Sequence, residues 1–246
     1  MLSLFKKKSP LLIDLIPKGF VDIHSHLLYG LDDGAKTLDD SISMISQLKK
    51  IGFSKVITTP HIMEGLYPNT DITIGRKLEE TKRVLNQNNM EIPIHAAAEY
   101  MIDHSFYDSL KNEKLLTLKD RWILVEMSYF SPPIQLYECI YELLLRGYQP
   151  ILAHPERYSY FYRNPSEYEN LKKAGLYFQL NLLSIVGYYG KETQQMAEKL
   201  LATGFIDFTG TDIHNQVQLN YLHKNIGTTK TTLLQEAMER NNTFKD

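Results

Sequence analysis

Asp22-Ile23-His24-Ser25-His26 sets two imidazoles two residues apart at the end of an apolar run. In an extended strand both therefore leave the same face. Thr59-Pro60-His61, Ala98-Glu99-Tyr100, Val125-Glu126-Met127, Ala153-His154-Pro155 and Thr211-Asp212-Ile213-His214 repeat the placement, a metal-ligand residue just past a short apolar stretch. Asp33, in Leu31-Asp32-Asp33-Gly34, adds a further carboxylate. Singly, each is an ordinary polar residue; the series carries the expectation of a metal site. Imidazole nitrogens and carboxylate oxygens without thiolates suit Mn, Fe or Zn and argue against a structural zinc finger. His24, His26, Asp33, His61, Glu99, Glu126, His154, Asp212 and His214 exceed the needs of one ion. Two or three divalent ions sharing a carboxylate are expected. Such a cluster can clamp both the attacking and the leaving oxygen of an in-line phosphoryl displacement.

Ligands at strand ends need strands to position them. Short apolar runs recur at 20–24, 55–59, 92–98, 122–127, 149–154, 177–182 and 206–210. They are nearly continuous in apolar character, as in strands covered on both faces. Helical patterns fill the gaps at 37–50, 74–88, 135–146, 165–173, 192–203 and 230–240, with a weaker one at 104–110. Repeated strand then helix implies a parallel sheet with right-handed crossovers. The expected fold is α/β, a single distorted (β/α)7 barrel over 19–246, with the site at the C-terminal strand ends. Residues 1–18, with Lys6-Lys7-Lys8, read as an N-terminal tail.

Composition removes several function classes. A net charge of −2 gives no general affinity for nucleic acid. No apolar run approaches the roughly 18 residues of a membrane span, and Asp14 interrupts the one that would make a signal peptide. The single cysteine, Cys139, forms no internal disulfide, which points to a reducing compartment or simply to a fold without bridges; a cytoplasmic protein is expected. A cysteine-based phosphatase loop needs arginine six positions after its cysteine, and Leu145 stands there, so Cys139 reads as helix packing. His95 reads as a core residue, and His104 and His223 as surface ones. Tyr100, Tyr129, Phe130, Tyr158, Tyr160, Phe161 and Tyr162 cluster after strand ends, where some can wall a phenyl ring. Residues 63–73 are long enough to cover the site.

Asp22-Ile-His24-Ser-His26, followed by Leu31-Asp32-Asp33-Gly34-Ala35-Lys36, resembles the polymerase and histidinol phosphatase (PHP) superfamily. More narrowly, the chain is similar to bacterial metal-dependent protein tyrosine phosphatases that oppose capsule- or exopolysaccharide-regulating tyrosine kinases. Thr59-Pro60-His61, Ala97-Ala98-Glu99-Tyr100, His154-Pro155-Glu156-Arg157-Tyr158 and Thr211-Asp212-Ile213-His214 match in order. The resemblance implies a PHP-type barrel and a trinuclear site. His24, His26, Glu99 and Asp212 would hold one ion, and Glu99 would bridge to a second completed by Glu126 and His154. Asp33, His61 and His214 would hold the third. Arg157 and Asp33 would act in catalysis, Arg157 as a bidentate grip on phosphate. The implied reaction is hydrolysis of phosphotyrosine by a metal-bridging hydroxide, with manganese first among the metals. The implied partner is the tyrosine-rich tail of a bacterial tyrosine kinase. Asp22 is expected to orient a ligand from behind. The family's second arginine after the last DxH is absent from Asn215-Gln216-Val217-Gln218-Leu219, and Lys224 is the nearest replacement. A small-molecule phosphomonoesterase, or a non-catalytic metal-stabilised kinase-binding protein, are the alternatives. Amidohydrolase barrels usually carry a lysine where Glu126 stands.

Overall fold

The computed structural model describes residues 9–110 and 114–246, so Lys6-Lys7-Lys8 lies outside the described residues. Strands β1 (Val21–Asp22), β2 (Lys55–Thr58) and β4 (Ile94–Ala96) form one parallel sheet, in the order β1-β2-β4. Strands β3 (His61–Ile62), β5 (Glu99–Met101), β6 (Trp122–Glu126), β7 (Gln149–Ala153), β8 (Tyr177–Asn181) and β9 (Phe208–Gly210) form a second parallel sheet in that order. All seven apolar runs thus become staves. Two of them break: β2 passes into β3 across Thr59-Pro60, and β4 into β5 across Ala97-Ala98. Proline offers no N–H to a ladder, which explains the first break. Together the two sheets make one barrel wall, the broken staves giving their first halves to the smaller sheet and their second halves to the larger. Near the mouth the wall is joined by a bridge from Ser25 to Ile213, with Asp212 N donating to His24 O at 2.8 Å and His26 N to Ile213 O at 2.9 Å.

Helices α1 (Leu12–Leu15), α2 (Leu38–Ile51), α3 (Asp71–Gln87), α4 (His104–Ser109), α5 (Leu136–Leu145), α6 (Ser166–Lys173), α7 (Leu182–Ile185), α8 (Lys191–Ala202), α9 (Gln216–Tyr221) and α10 (Thr231–Arg240) complete the chain. Thr37 starts α2 through a capping box with Asp40, and Gly52 ends it at a left-handed φ of 112°. The short α1, α7 and α9 carry too little periodicity to show in the sequence. Residues 10–15 are not a free tail. Leu12 is fully buried, and the Leu12 and Ile13 amides donate to Lys224 and Leu222 carbonyls at 2.9 Å each.

The main core lies between helices and barrel. A second one fills the barrel's lower interior with Val21, Ile23, Ile57, Leu124, Ile151 and Phe208, closed from below by Phe244. Phe244 follows α10 in a 3-10 turn, Asn241–Phe244, and meets Trp122 and Phe208 edge-on at 5.8 and 5.1 Å. β1 and β9 do not pair along their lengths. The buried Asn241 joins them instead: its Nδ2 donates to Val21 O at 2.8 Å and Thr209 O at 2.7 Å, and its Oδ1 accepts from Thr209 N at 3.1 Å. His95, expected in the core, is exposed beside Thr117 O.

Asn241→Ala would leave several buried backbone groups unpaired, each costing about 1–3 kcal/mol. We expect a loss of at least about 2 kcal/mol, and a melting temperature lower by at least about 4 °C. Asn241→Asp can accept from Thr209 N but cannot donate, and should recover little. Thermal melts of both variants check this.

Candidate metal centre

Register and closure gather the sequence-singled residues at the barrel mouth. Glu99 pairs laterally with His61 across β3 and β5, and with Leu124 on β6, two residues before Glu126. The bridge at Ser25 and Ile213 brings His24 and His26 against Asp212 and His214. Three groups result: His24, His26, Glu99 and Asp212; His26, Asp33, His61 and His214; and His61, Glu99 and Glu126, with ligand atoms in each within 4.8 Å of one another. The first group is wholly buried, whereas the Asp33 side chain is 55% exposed, so the centre opens from a sealed floor to an accessible mouth.

Glu99 is the common member. Its Oε2 lies 3.2 Å from His24 Nε2, 3.3 Å from His26 Nε2 and 3.2 Å from His61 Nδ1, and its Oε1 lies 3.0 Å from His154 Nε2. The Oδ1 of Asp212 faces the same two imidazoles, at 3.3 Å from His24 and 3.4 Å from His26. His61 turns Nδ1 to Glu126 at 2.8 Å and Nε2 to Asp33 at 3.6 Å, so it stands between two groups. The resemblance groups His154 with Glu99 and Glu126; in the structure His154 meets Glu99, and His61 is the imidazole in contact with Glu126.

The outer nitrogens of the imidazoles are already occupied. His24 Nδ1 donates to Gln179 Oε1 at 2.7 Å, an orientation fixed because Gln179 Nε2 donates to Leu180 O. His26 Nδ1 donates to Asp32 Oδ2 at 2.8 Å, and His214 Nδ1 to Asp212 O at 2.8 Å. Each Nε2 lone pair is therefore left for a cation. Gln179 and Asp32 hold the rings. Asp22 acts on the backbone: it accepts from His24 N at 3.4 Å, Thr211 N at 3.0 Å and Thr211 Oγ1 at 2.5 Å, anchoring the chain at His24 and beside Asp212. Two glycines admit the rings. A Cβ at Gly210 would lie 2.6 Å from His24 Cβ, and one at Gly34 would lie 2.2 Å from His26 O. His154 and Asp212 hold left-handed φ values of 36° and 51°, strain that persists where surrounding contacts over-determine a functional residue.

Arg157 is held by three neighbours. Its Nη1 donates to Asp212 Oδ2 at 3.0 Å, and its guanidinium carbon lies 4.0 Å from the Tyr189 ring centre and 4.6 Å from that of Tyr129. Asn181 Nδ2 reaches the same Asp212 oxygen at 2.7 Å, and Tyr189 Oη at 3.3 Å. Tyr189 and Asn181 escaped the sequence reading, although Asn181 is a polar residue closing an apolar strand. Arg157, Tyr67, Tyr129 and Tyr189 line a cleft of about 960 Å³ over these groups, and Lys224 is not among its lining residues.

The residues fit cations. Four buried or mouth carboxylates, Asp33, Glu99, Glu126 and Asp212, face one guanidinium. Buried His154 Nδ1 lacks a hydrogen-bond partner, and the close contacts among His61 Nδ1, Glu99 Oε2 and Glu126 Oε1 do not have hydrogen-bond geometry. Buried charge without compensation is prohibitive. Protons compete for the same places. Burial pulls His24 down, but Glu99 and Asp212 outweigh it and push the imidazole up to about 10. Burial, with Arg157 adding to it, takes His154 down to about 4, a neutral ligand at ordinary pH. Burial, then Glu99, raises Glu126.

A parallel α/β barrel with imidazoles and carboxylates at its C-terminal mouth defines a metal-site barrel protein. The chain belongs to the CpsB/CapC family of capsular polysaccharide synthesis, whose sequence model matches residues 20–237. It is 30% identical over 228 residues to the tyrosine-protein phosphatase YwqE of Bacillus subtilis, covering 89% of this chain and 90% of that protein. It is 26% identical to the putative tyrosine-protein phosphatase CapC of Staphylococcus aureus, covering 84% and 81%. A chain from the solved structures of YwqE from B. subtilis and CpsB from Streptococcus pneumoniae, described as metal-dependent tyrosine phosphatases, aligns with a TM-score of 0.76 at 30% identity. That match covers 89% of this chain and 92% of the other. An Escherichia coli phosphotriesterase homology protein shares the fold at 12% identity and a TM-score of 0.56, covering 94% and 99%.

Glu99→Gln keeps the shape but removes the charge shared by four imidazoles. Metal affinity should fall by no less than the about 10–100-fold seen for outer partners, read by metal analysis after dialysis. Binding must also expel the His24 proton. Apparent metal affinity should therefore rise with pH from about 6.5 towards about 10, with proton release seen by calorimetry in buffers of differing ionisation enthalpy. For the metal-free fold the sign reverses. His24 binds its proton more tightly folded than unfolded, so its stabilisation is full below pH 6.5 and is lost as pH rises towards about 10.

Proposed function

We propose that this chain is a metal-dependent phosphatase that hydrolyses phosphotyrosine in protein. The carrying observation is the clamped Arg157: a fixed guanidinium beside the ligand groups, in a cleft walled by aromatic rings. That pairing suits a phosphoryl group attached to a phenyl ring. The names of the family relatives support the same chemistry. His24, His26, Glu99 and Asp212 would hold a first ion. Glu99 and Glu126, with His154 or His61, would hold a second, and Asp33, His61 and His214 a third. Manganese is our proposed metal, with iron and zinc compatible with the donor set. Bound ions supply positive charge against phosphoryl oxygens and make water more acidic.

The protein's own groups do the rest. Arg157 has five N–H donors, and the contact to Asp212 leaves others for phosphate oxygens. Tyr129 and Tyr189 cover its faces and hold its plane, so little reorganisation accompanies substrate arrival. His214 holds the Asp33 carboxyl below the usual range, so Asp33 acts as an ionised ligand at the mouth and not as a proton donor. A phenolate, with a pKa near 10, leaves without strong acid assistance. We further propose that the substrate is a phosphotyrosine-bearing tail of a bacterial tyrosine kinase, met in the cytoplasm. Among the described residues no helix is long and apolar enough to cross a membrane.

The test is turnover of a phosphotyrosine peptide with manganese, against phosphoserine peptide and histidinol phosphate. Chelation should abolish it, whereas Cys139→Ser should not: Cys139 is buried in α5 and burial pushes its thiol up to about 12. No phosphotyrosine turnover in metal-loaded protein would refute the proposal. Arg157→Ala should raise KM and lower kcat, about ten- to a hundredfold in kcat/KM, because one charge-assisted hydrogen bond is worth roughly 1.5–3 kcal/mol. Arg157→Lys should recover only part, since lysine lacks the planar fork.

A further inference from the structure

We infer that the apolar lip of the cleft, formed by Phe130 and Ile134 together with Leu66, docks the apolar side chains flanking a substrate's phosphotyrosine. This rests on the phosphatase reading above and adds a sequence preference to it.

Phe130 is 95% exposed, Ile134 100% and Leu66 62%. A soluble protein rarely leaves such residues grouped in water without use. All three border the same cleft as Arg157. Phe130 and Ile134 come from the loop joining β6 to α5, and Leu66 from the turn after β3, two segments whose strands are separated only by β5. Neither wall is slack. Met63 and Tyr67 exchange backbone hydrogen bonds at 3.0 Å each, closing the turn under Leu66. Tyr160 Oη donates to Ser128 O at 3.0 Å, and Phe130 N to Ser128 Oγ at 3.2 Å, at the base of the other loop. Pro132 and Pro133 fix the backbone between Phe130 and Ile134. The side chains are thus displayed in advance, which lowers the ordering cost of binding.

The occupant follows from continuity with the cleft. A phosphotyrosine reaching Arg157 carries its chain neighbours across the lip, since successive Cα atoms are only about 3.8 Å apart. Residues 128–135, Ser-Tyr-Phe-Ser-Pro-Pro-Ile-Gln, contain no charge, so this side of the lip offers contact area and no ion pair, while Glu64 and Asp103 line the cleft on the side of Leu66. Apolar or aromatic flanking residues gain from Phe130 and Ile134; serine does not.

The experiment compares phosphotyrosine peptides flanked by leucine and phenylalanine with peptides flanked by serine, using manganese-loaded full chain. Free phosphotyrosine serves as reference. Wild type should favour the apolar peptide by about tenfold in KM, the worth of burying one large side chain in part. The double variant Phe130→Ser, Ile134→Ser should lose that preference while its melting temperature, metal content and turnover of free phosphotyrosine stay put. Equal KM values for both peptides in wild type, or a preference that survives the double variant, would overturn the inference. The same peptides with a non-hydrolysable phosphonate separate the two proposals by binding alone. Apolar preference in binding without any turnover would sustain the lip and sink the phosphatase reading; equal affinities would sink the lip. A concentration-dependent dimer dissolved by the double variant would assign the lip to a second copy and overturn the inference.

Discussion

One carboxylate sets the terms for the rest of the molecule. Glu99 is fully buried and has three imidazole nitrogens within 3.3 Å of a single oxygen. Such an anion is tolerable inside a protein only with cations or protons around it. The surrounding structure supplies places for either. The histidines turn their Nε2 or Nδ1 inward, Gln179 and Asp32 hold two of the rings from outside, and glycine at 34 and 210 gives those rings room. Removing any of these leaves the carboxylate's charge uncompensated, so the centre behaves as a unit and not as a set of separable ligands.

The barrel serves that unit by an irregularity. Breaks after β2 and β4 split two staves, so that their two halves pair in different sheets. The lower part of the barrel, filled by Phe208, Phe244 and aliphatic side chains, is ordinary packing. The upper part carries the ligands, and its register places His61 directly beside Glu99. Arg157 belongs to the same arrangement. Its contact with Asp212 makes it an outer partner of the first group, and its aromatic neighbours Tyr129 and Tyr189 hold it there.

Eight of the nine ligand candidates were legible because they stand at the ends of short apolar runs, and strand ends in a parallel barrel converge; Asp33, in a turn, was legible only through the motif it shares with the family. The supporting residues were not, because their partners are remote in sequence: Gln179 stands 155 positions from His24. A glutamine within the apolar run 177–181 was a signal in plain view, but it named no partner. Asp22 looked like a ligand-orienting carboxylate from its spacing alone; the geometry has it hold backbone at His24 and Thr211, and gives the His26 ring to Asp32, which shares a turn with Asp33. The strand breaks stayed hidden because Thr59-Pro60 and Ala97-Ala98 continue the apolar pattern. Asn241–Phe244 stayed hidden because a single short turn has no periodicity.

Asn241 also bears on how the molecule comes to exist. Its hydrogen bond to Val21 spans 220 positions, and it joins the first and last staves below the mouth. During synthesis, the strand bearing His24 and His26 emerges long before the residues that secure its far neighbour. Until then the early histidines have no closed pocket, and Asp212 and His214 are still to come. Assembly of the centre is therefore a late event in biogenesis, and an emerging chain meets cellular metal with an incomplete, weaker set of donors.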